Sequence, residues 1–350
     1  MNRIIEEDID IMLKDDLPWS SFRGSTVLIT GAYGMLASYL VYALMALNAR
    51  DPSFNVRILA AGRSLRRMKE RFGDRPDGNC GLHVIQSGAE ALASREDLPE
   101  TIDYIIHAAS PTNPRSYLTD PTAVIEANVT ATRDLLRLGR ARGTKAFLYI
   151  SSGEVYGLLH KAVIREEDGG TYTANDPRNV YALSKRLGER LCEACAAGGS
   201  MRVMCVRPSH TYGPTMSLDT DGRVFADFVK NAVEGRDIVM TSDGTASRAF
   251  TYLTDAALGY FRVLLLGKSG EAYNVTNNDG IRTIRALAEI VAALAVPPVR
   301  TAFGQPDASY RENANRQASI RSTERLESLG WHPSVSPEEG FARTVNSFLS

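Results

Sequence analysis

The chain has 350 residues, 44% of them hydrophobic and 23% charged, as in an ordinary globular protein, and this length favours two lobes over one core. With 40 basic and 41 acidic residues the formal net charge is −1, which excludes a global field for nucleic acid or an anionic membrane surface; an anionic ligand has to be held by a few placed arginines. No apolar run is long enough for a membrane span, and the N-terminus lacks the basic-then-apolar order of a signal peptide, so a cytoplasmic location is expected.

The chain opens with an acidic amphipathic segment that predicts a helix over residues 3–15, inside an N-terminal extension of residues 1–23. "STVLIT" (25–30) reads as a buried strand and "MLASYLVYALMAL" (35–47) as an almost wholly apolar helix. "NVRILAAG" (55–62), "LHVIQ" (82–86), "DYIIHAA" (103–109) and "KAFLYIS" (145–151) read as further strands, with a helical segment at 121–143. Strand–helix alternation with apolar faces throughout predicts a parallel sheet covered on both sides.

After residue 205 the rhythm changes. A Gly/Pro/Asp-rich connection (207–223) leads to a helix at 224–234, a strand at 271–275 and a helix at 283–294. The weakly periodic segment 298–322 reads as loop-rich. The fold class is therefore α/β: a Rossmann-type doubly wound parallel sheet with a smaller C-terminal α/β lobe for the substrate. The sheet domain is assigned to residues 24–205 with about 245–278, and the smaller lobe to 206–244 and 279–350. There are no internal repeats or low-complexity tracts.

"TVLITGAYGMLASYL" sets Gly31 and Gly34 directly after a strand and directly before a helix. The first glycine permits the tight turn, and the second lets backbone approach a pyrophosphate at a helix N-terminus; Ala37 allows helix to pack closely on sheet. The spacing is G-x-x-G-x-x-A, and a strand–helix turn that only needs small residues is the alternative. The next strand ends in "AAGRS", where a carboxylate would bind the ribose diol of NAD; this chain has Arg63, suited to the 2′-phosphate of NADP or to stacking on adenine.

Tyr181 and Lys185 stand four apart on a predicted helix, which puts both on one face. An ammonium beside a phenol lowers the phenol's pKa and makes it a general base for a sugar hydroxyl. Such a pair is common by chance, but here a dinucleotide turn lies upstream, and a strand ends in Ser151-Ser152, at the edge where an open parallel sheet gathers ligands. Cys80, Cys192, Cys195 and Cys205 read as unpaired thiols, and His83, His160 and His332 share no ligand spacing, so no metal is assigned. His107, in an apolar strand, reads as a packed strand residue.

"TGAYGMLA" (30–37), "HAASP" (107–111), "NVTATRDLL" (128–136), "SSGEVYG" (151–157), "YALSK" (181–185), "RPSHTYGP" (207–214), "DGRVFADF" (221–228), "SRAFTYLTDAA" (247–257), "GEAYNV" (270–275) and "LGWHPSVSPEEGF" (329–341) run almost end to end. In this order they resemble the extended short-chain dehydrogenase/reductase family, in its nucleotide-sugar epimerase/dehydratase branch, with the nearest pattern that of UDP-glucuronate decarboxylases. The resemblance implies a nicotinamide cofactor, NAD or NADP, that takes hydride from C4 of a nucleotide-diphosphate sugar to give a 4-keto intermediate. It implies catalytic roles for Ser152, Glu154, Tyr181 and Lys185. It implies cofactor contacts from Gly31, Tyr33, Gly34 and Met35, then Arg63, then Ala108, Ala109 and Ser110, then Asn128 and Ser151, with Tyr181 and Lys185. Substrate contacts are expected for Ser110, Ser152, Arg223 and Arg248, the two arginines at the diphosphate, while His210 reads equally as a substrate contact or a structural histidine.

Within the family, 4,6-dehydratases show Asp-Glu after the Ser/Thr, the Asp acting as acid on the C6 hydroxyl. Here Glu154 is present, but Gly153 replaces the Asp, and glycine cannot be a general acid. Decarboxylases show Ser-Glu there, so Gly153 departs from both, and His210 replaces their usual Asn. The expectation is redox-neutral decarboxylase-like or epimerase chemistry. The alternatives are 4,6-dehydration, an NADPH-dependent keto-sugar reductase and a non-catalytic dinucleotide-binding protein. Helices near 121–140 and 181–197 carry surplus apolar faces, and the resemblance implies that they pair two copies into a homodimer through a four-helix bundle.

Overall fold

A computed structural model describes residues 2–73, 79–173, 175–304 and 318–349. The chain begins with α1 (Arg3–Met12), capped by Asn2, whose side chain accepts from Ile4 N–H at 2.8 Å. There follow β1 (Thr26–Thr30), α2 (Met35–Arg50), β2 (Arg57–Gly62), α3 (Leu65–Phe72), β3 (Leu82–Gln86) and β4 (Tyr104–His107). The predicted helix over 121–143 is α5 (Pro121–Ile125) and α6 (Ala131–Ala141), joined by a π-helical turn at Glu126–Thr130; the short α4 (Pro114–Thr119) precedes it. Next come β5 (Ala146–Ile150), β6 (Val163–Ile164), α7 (Val180–Ala196) and β7 (Arg202–Pro208).

The remaining elements are β8 (His210–Tyr212), α8 (Val224–Val233), β9 (Ile238–Met240), β10 (Ser247–Tyr252), α9 (Leu253–Leu266), β11 (Ala272–Val275), β12 (Ile281–Thr283), α10 (Ile284–Ala293), β13 (Thr301–Phe303), β14 (Ile320–Arg321), α11 (Glu324–Glu327) and α12 (Pro337–Leu349). The segment expected to be loop-rich holds β13 and β14 at its two ends; its residues 305–317 lie outside the described residues.

Seven strands form one parallel sheet in the order β3-β2-β1-β4-β5-β7-β11. Every residue of β5 is buried, as is most of β1, because helices cover both faces. The strand order reverses between β1 and β4, which opens a crevice at their carboxyl ends.

β8, β10 and β12 form a separate small sheet under α8, α10 and α12, packed around Tyr212, Phe225, Phe250 and Phe341. Tyr212 stacks on Phe341 with ring centroids 3.9 Å apart. Of the segment 245–278 grouped with the main sheet, β10 thus falls in the small sheet, while α9 packs on the main sheet's core and β11 forms its edge. α1 lies against α2, α9 and α12. The buried Asp8 carboxylate accepts from Tyr39 (2.7 Å), Tyr252 (2.7 Å) and Arg343 (2.8 Å), so the N-terminal helix ties the sheet domain to the smaller lobe. Among the described residues, no helix is long and apolar enough to cross a membrane.

Candidate active site

One cleft of about 1870 Å³ runs along the carboxyl ends of the strands, larger than the roughly 300–1,000 Å³ of a single-ligand pocket. It has room for two ligands. Its lining joins the glycine turn after β1 to the start of α7 and to the smaller lobe.

At one end, Gly31 adopts φ +66°, and a Cβ there would lie 2.8 Å from Ala109 Cα. Only glycine lets the β1 and β4 turns approach this closely. α2 starts at Met35 with no side chain capping it at Gly34, so its first amides face the cleft unsatisfied, an arrangement that favours phosphate. Thr30 Oγ1 accepts from the N–H groups of Ala108 and Ala109, both at 3.1 Å, and pins the "HAA" turn. His107 Nδ1 is 2.8 Å from the Thr30 hydroxyl and its Nε2 is 3.1 Å from the Ala127 carbonyl, which can only accept. Nε2 therefore carries the proton and Thr30 donates to Nδ1. Burial, with the nearby Lys185 charge, pushes the His107 pKa down to about 3, so this strand histidine is neutral.

At the other end, β5 delivers Ser151 and Ser152 into a 3₁₀ turn at Gly153–Tyr156, where Ser152 Oγ caps Glu154 N–H at 3.2 Å. α7 places Tyr181 beside the Ser152 hydroxyl. Lys185 donates to the Ile150 carbonyl at 2.7 Å, with Nζ 5.9 Å from the Tyr181 ring centroid. The expectation that Lys185 brings Tyr181 towards neutrality needs correction for this arrangement. Burial pushes the Tyr181 pKa up to about 12, only partly offset by the Ser152 hydrogen bond, and burial pushes Lys185 down to about 7.

Gly31, Tyr33, Gly34, Met35, Arg63, Ala108, Ala109, Ser110, Ser151, Ser152, Glu154, Tyr181, Lys185, His210 and Arg223 all line this one cleft. Asn128 and Arg248 are not among the described residues that line it. The π-helical turn swings Asn128 inward, where its amide donates to Ser184 at 3.0 Å, and Arg248 on β10 donates to the Ser247 carbonyl at 2.7 Å. Arg223 lines the cleft, but Asp221 holds its guanidinium at 2.5 and 2.6 Å. His210 packs edge-on to Phe225, ring centroids 6.1 Å apart. Among the described residues no cluster of His, Cys, Asp or Glu is placed to hold a metal.

Among the lining residues that the sequence analysis did not single out, two bear on the chemistry. Tyr117 of α4 stacks on Tyr181, ring centroids 4.8 Å apart and planes within 10°. Arg321 arrives through β14, which pairs with β6, and its guanidinium occupies the space into which a Cβ at Gly153 would project. Neither carries a local motif; only the tertiary fold brings them here.

The cleft suits a dinucleotide: the glycine turn, the uncapped amides of α2 and the buried Ser151 hydroxyl, which has no hydrogen-bond partner among the described residues, all face the same space. Residues 27–276 match the model of the NAD dependent epimerase/dehydratase family. The chain belongs to that family. A UDP-glucuronic acid decarboxylase from Arabidopsis thaliana is 32% identical over 332 residues, 93% of this chain and 68% of the relative. One from Danio rerio is 30% identical over 253 residues, 72% of this chain and 59% of the relative. Among solved structures, a UDP-glucose 4-epimerase from Thermotoga maritima has TM-score 0.77 at 20% identity, covering 92% of this chain and 98% of its own. A dTDP-glucose 4,6-dehydratase from Streptomyces venezuelae has TM-score 0.72 at 22% identity, covering 92% and 96%. Two different reactions on one architecture show that this family's fold does not name its chemistry.

Proposed function

We propose that this epimerase/dehydratase-family chain acts on a nucleotide-diphosphate sugar bearing a C5 carboxylate, oxidises it at C4 and releases carbon dioxide. The observation that carries this reading is Arg321, a guanidinium set against Gly153 at the Ser152–Glu154 wall. A planar, permanently charged fork suits a carboxylate, and it stands where a dehydratase needs an acid. The likeness to UDP-glucuronic acid decarboxylases supports it.

In this reading Tyr181 takes the proton of the C4 hydroxyl, which Ser152 orients, and Lys185 stabilises the phenolate when its ammonium turns from Ile150. A nicotinamide cofactor held along the glycine turn and the start of α7 would supply a reversible hydride acceptor for C4. Oxidation makes the substrate a β-keto acid. Arg321 holds the carboxylate until the C5–C6 bond breaks and carbon dioxide leaves, the bond's electron pair passing to the keto oxygen as an enolate; Glu154, having taken up a proton from solvent, then donates it to C5, where the new C–H bond replaces C5–C6 and the C4 ketone re-forms. Mass spectrometry of the product from UDP-glucuronate tests the proposal.

A homodimer belongs to the same reading. Leu183 and Leu187 are about half exposed on one face of α7, and Ile125 on the neighbouring α5 is 45% exposed. Paired with a second copy, these helices would bury that stripe in a four-helix bundle.

A further inference from the structure

We infer that Tyr156, which is not among the described residues that line the cleft, is a positioning residue: it holds the Arg321 guanidinium at Gly153 and ties it to the helix that carries Tyr181 and Lys185. The inference rests on the reading of Arg321 as the carboxylate site. It concerns what fixes that side chain in place.

Tyr156 closes the 3₁₀ turn whose first residues, Gly153 and Glu154, face the cleft. Its own ring turns back into the protein and is 2% exposed. The Arg321 Cζ lies 5.9 Å from the centroid of that ring, within reach of a cation–π contact. An arginine has many rotamers, and a fixed aromatic face beside its tip narrows them.

The ring is anchored through its hydroxyl. Burial pushes the Tyr156 pKa up, so the phenol keeps its proton and donates to Asn274 Oδ1 at 2.6 Å. The same oxygen accepts from Arg207 Nη1 at 3.0 Å. The Asn274 side-chain amide donates in turn to the Ser322 carbonyl at 3.0 Å, one residue beyond Arg321. A closed circuit results: Arg321 guanidinium, Tyr156 ring, Asn274 amide, Ser322 backbone. Arg207 extends it to α7. Its guanidinium donates to both carboxylate oxygens of Glu189, at 2.9 and 2.7 Å, and both residues are buried. Glu189 stands one turn beyond Lys185 on α7. A buried bidentate pair has one geometry, so the cation at Gly153 is keyed to the helix that bears the proposed base. Removing the phenol oxygen leaves Arg207 and Asn274 each short of a buried partner and frees the ring to shift under Arg321.

Calorimetric titration tests this on the full chain with NAD⁺ present, in the Tyr181→Phe background so that bound sugar is not turned over. UDP-glucuronate, UDP-glucose and UDP are the probes, and the ratio of the first two affinities reads the carboxylate alone. Tyr156→Phe should cut that ratio roughly fivefold, and Tyr156→Leu, which also removes the aromatic face, about tenfold or more. UDP should bind within about twofold of the parent in both, a pattern that general loosening of the fold would not give. With Arg321→Ala already in place, Tyr156→Phe should leave the ratio where Arg321→Ala alone puts it. A Tyr156→Phe variant that keeps the parent's ratio overturns the inference, and so does one that loses UDP in the same proportion as UDP-glucuronate. Phenylalanine keeps the ring and its packing, so that variant decides the question even where the leucine variant fails to fold. A parent with no preference for UDP-glucuronate over UDP-glucose overturns the carboxylate reading of Arg321 and the positioning role with it.

Discussion

Arg321 fills the space into which any side chain at residue 153 would project. The strand pairing of Arg321 with Ile164 fixes its backbone, and Asn278 clasps it on both sides, accepting from Arg321 N–H at 3.2 Å and donating to its carbonyl at 2.8 Å. The glycine that looked like a missing acid is thus the seat of a cation delivered from the far end of the chain.

Gly153→Ser should therefore push the guanidinium aside. Because the displaced atoms are the tip of a flexible side chain, stability should change little, while kcat/KM on UDP-glucuronate should fall about tenfold or more. Arg321→Ala should cost at least as much, and the double variant should be no worse than Arg321→Ala alone. Steady-state kinetics on the three variants check this; additive losses would separate the two residues.

Tyr181→Phe removes the only group proposed to take the C4 hydroxyl proton. Turnover should drop by about three orders of magnitude. The Tyr117 stack and the packing of α7 need only the ring, so the melting temperature should hold. Stopped-time product assays together with thermal melts distinguish loss of the base from loss of the fold.

Lys185 gives a pH signature. Its folded pKa, pushed down to about 7 by burial, lies below the 10.5 of an exposed lysine, so the unfolded chain binds a proton that the native chain sheds between these values. The native state pays its largest penalty from this group below pH 7 and regains stability as pH rises towards 10.5. In Lys185→Met, the stability gain measured by denaturant melts between pH 7 and pH 9 should be smaller than in the parent, by roughly 1–3 kcal/mol.

The exposed stripe on α7 predicts the oligomeric state. Leu183→Glu/Leu187→Glu places two charges on it and should convert a dimer to a monomer by light scattering at micromolar concentration. A monomeric parent would remove the basis for the bundle.

The main sheet was legible because its strands are short apolar runs set off by glycine and polar turns; "LHVIQ" matches β3 residue for residue. The helix Leu253–Leu266 went unread because it is buried on almost every side and shows no amphipathic stripe. At the site, the glycine turn, Ser152, Tyr181 and Lys185 were readable because each sits in a local pattern with a chemical reason. Arg321 and Tyr117 were not, since their place depends on strand pairing and ring packing between distant segments. Arg223 shows a third limit: the sequence marks a cation but not that Asp221 two residues earlier already holds it. The Tyr181 pKa shows a fourth, because the spacing of Tyr181 and Lys185 says nothing about burial, which here outweighs their proximity.

The most direct test of the central claim is the mass of the product formed from UDP-glucuronate, run beside UDP-glucose. The account predicts loss of carbon dioxide from the uronate, dependent on Arg321, and no loss of mass from the neutral sugar. An unchanged mass with a new stereoisomer, or loss of water from UDP-glucose, would contradict it and would leave the cation at Gly153 without the carboxylate it is proposed to hold.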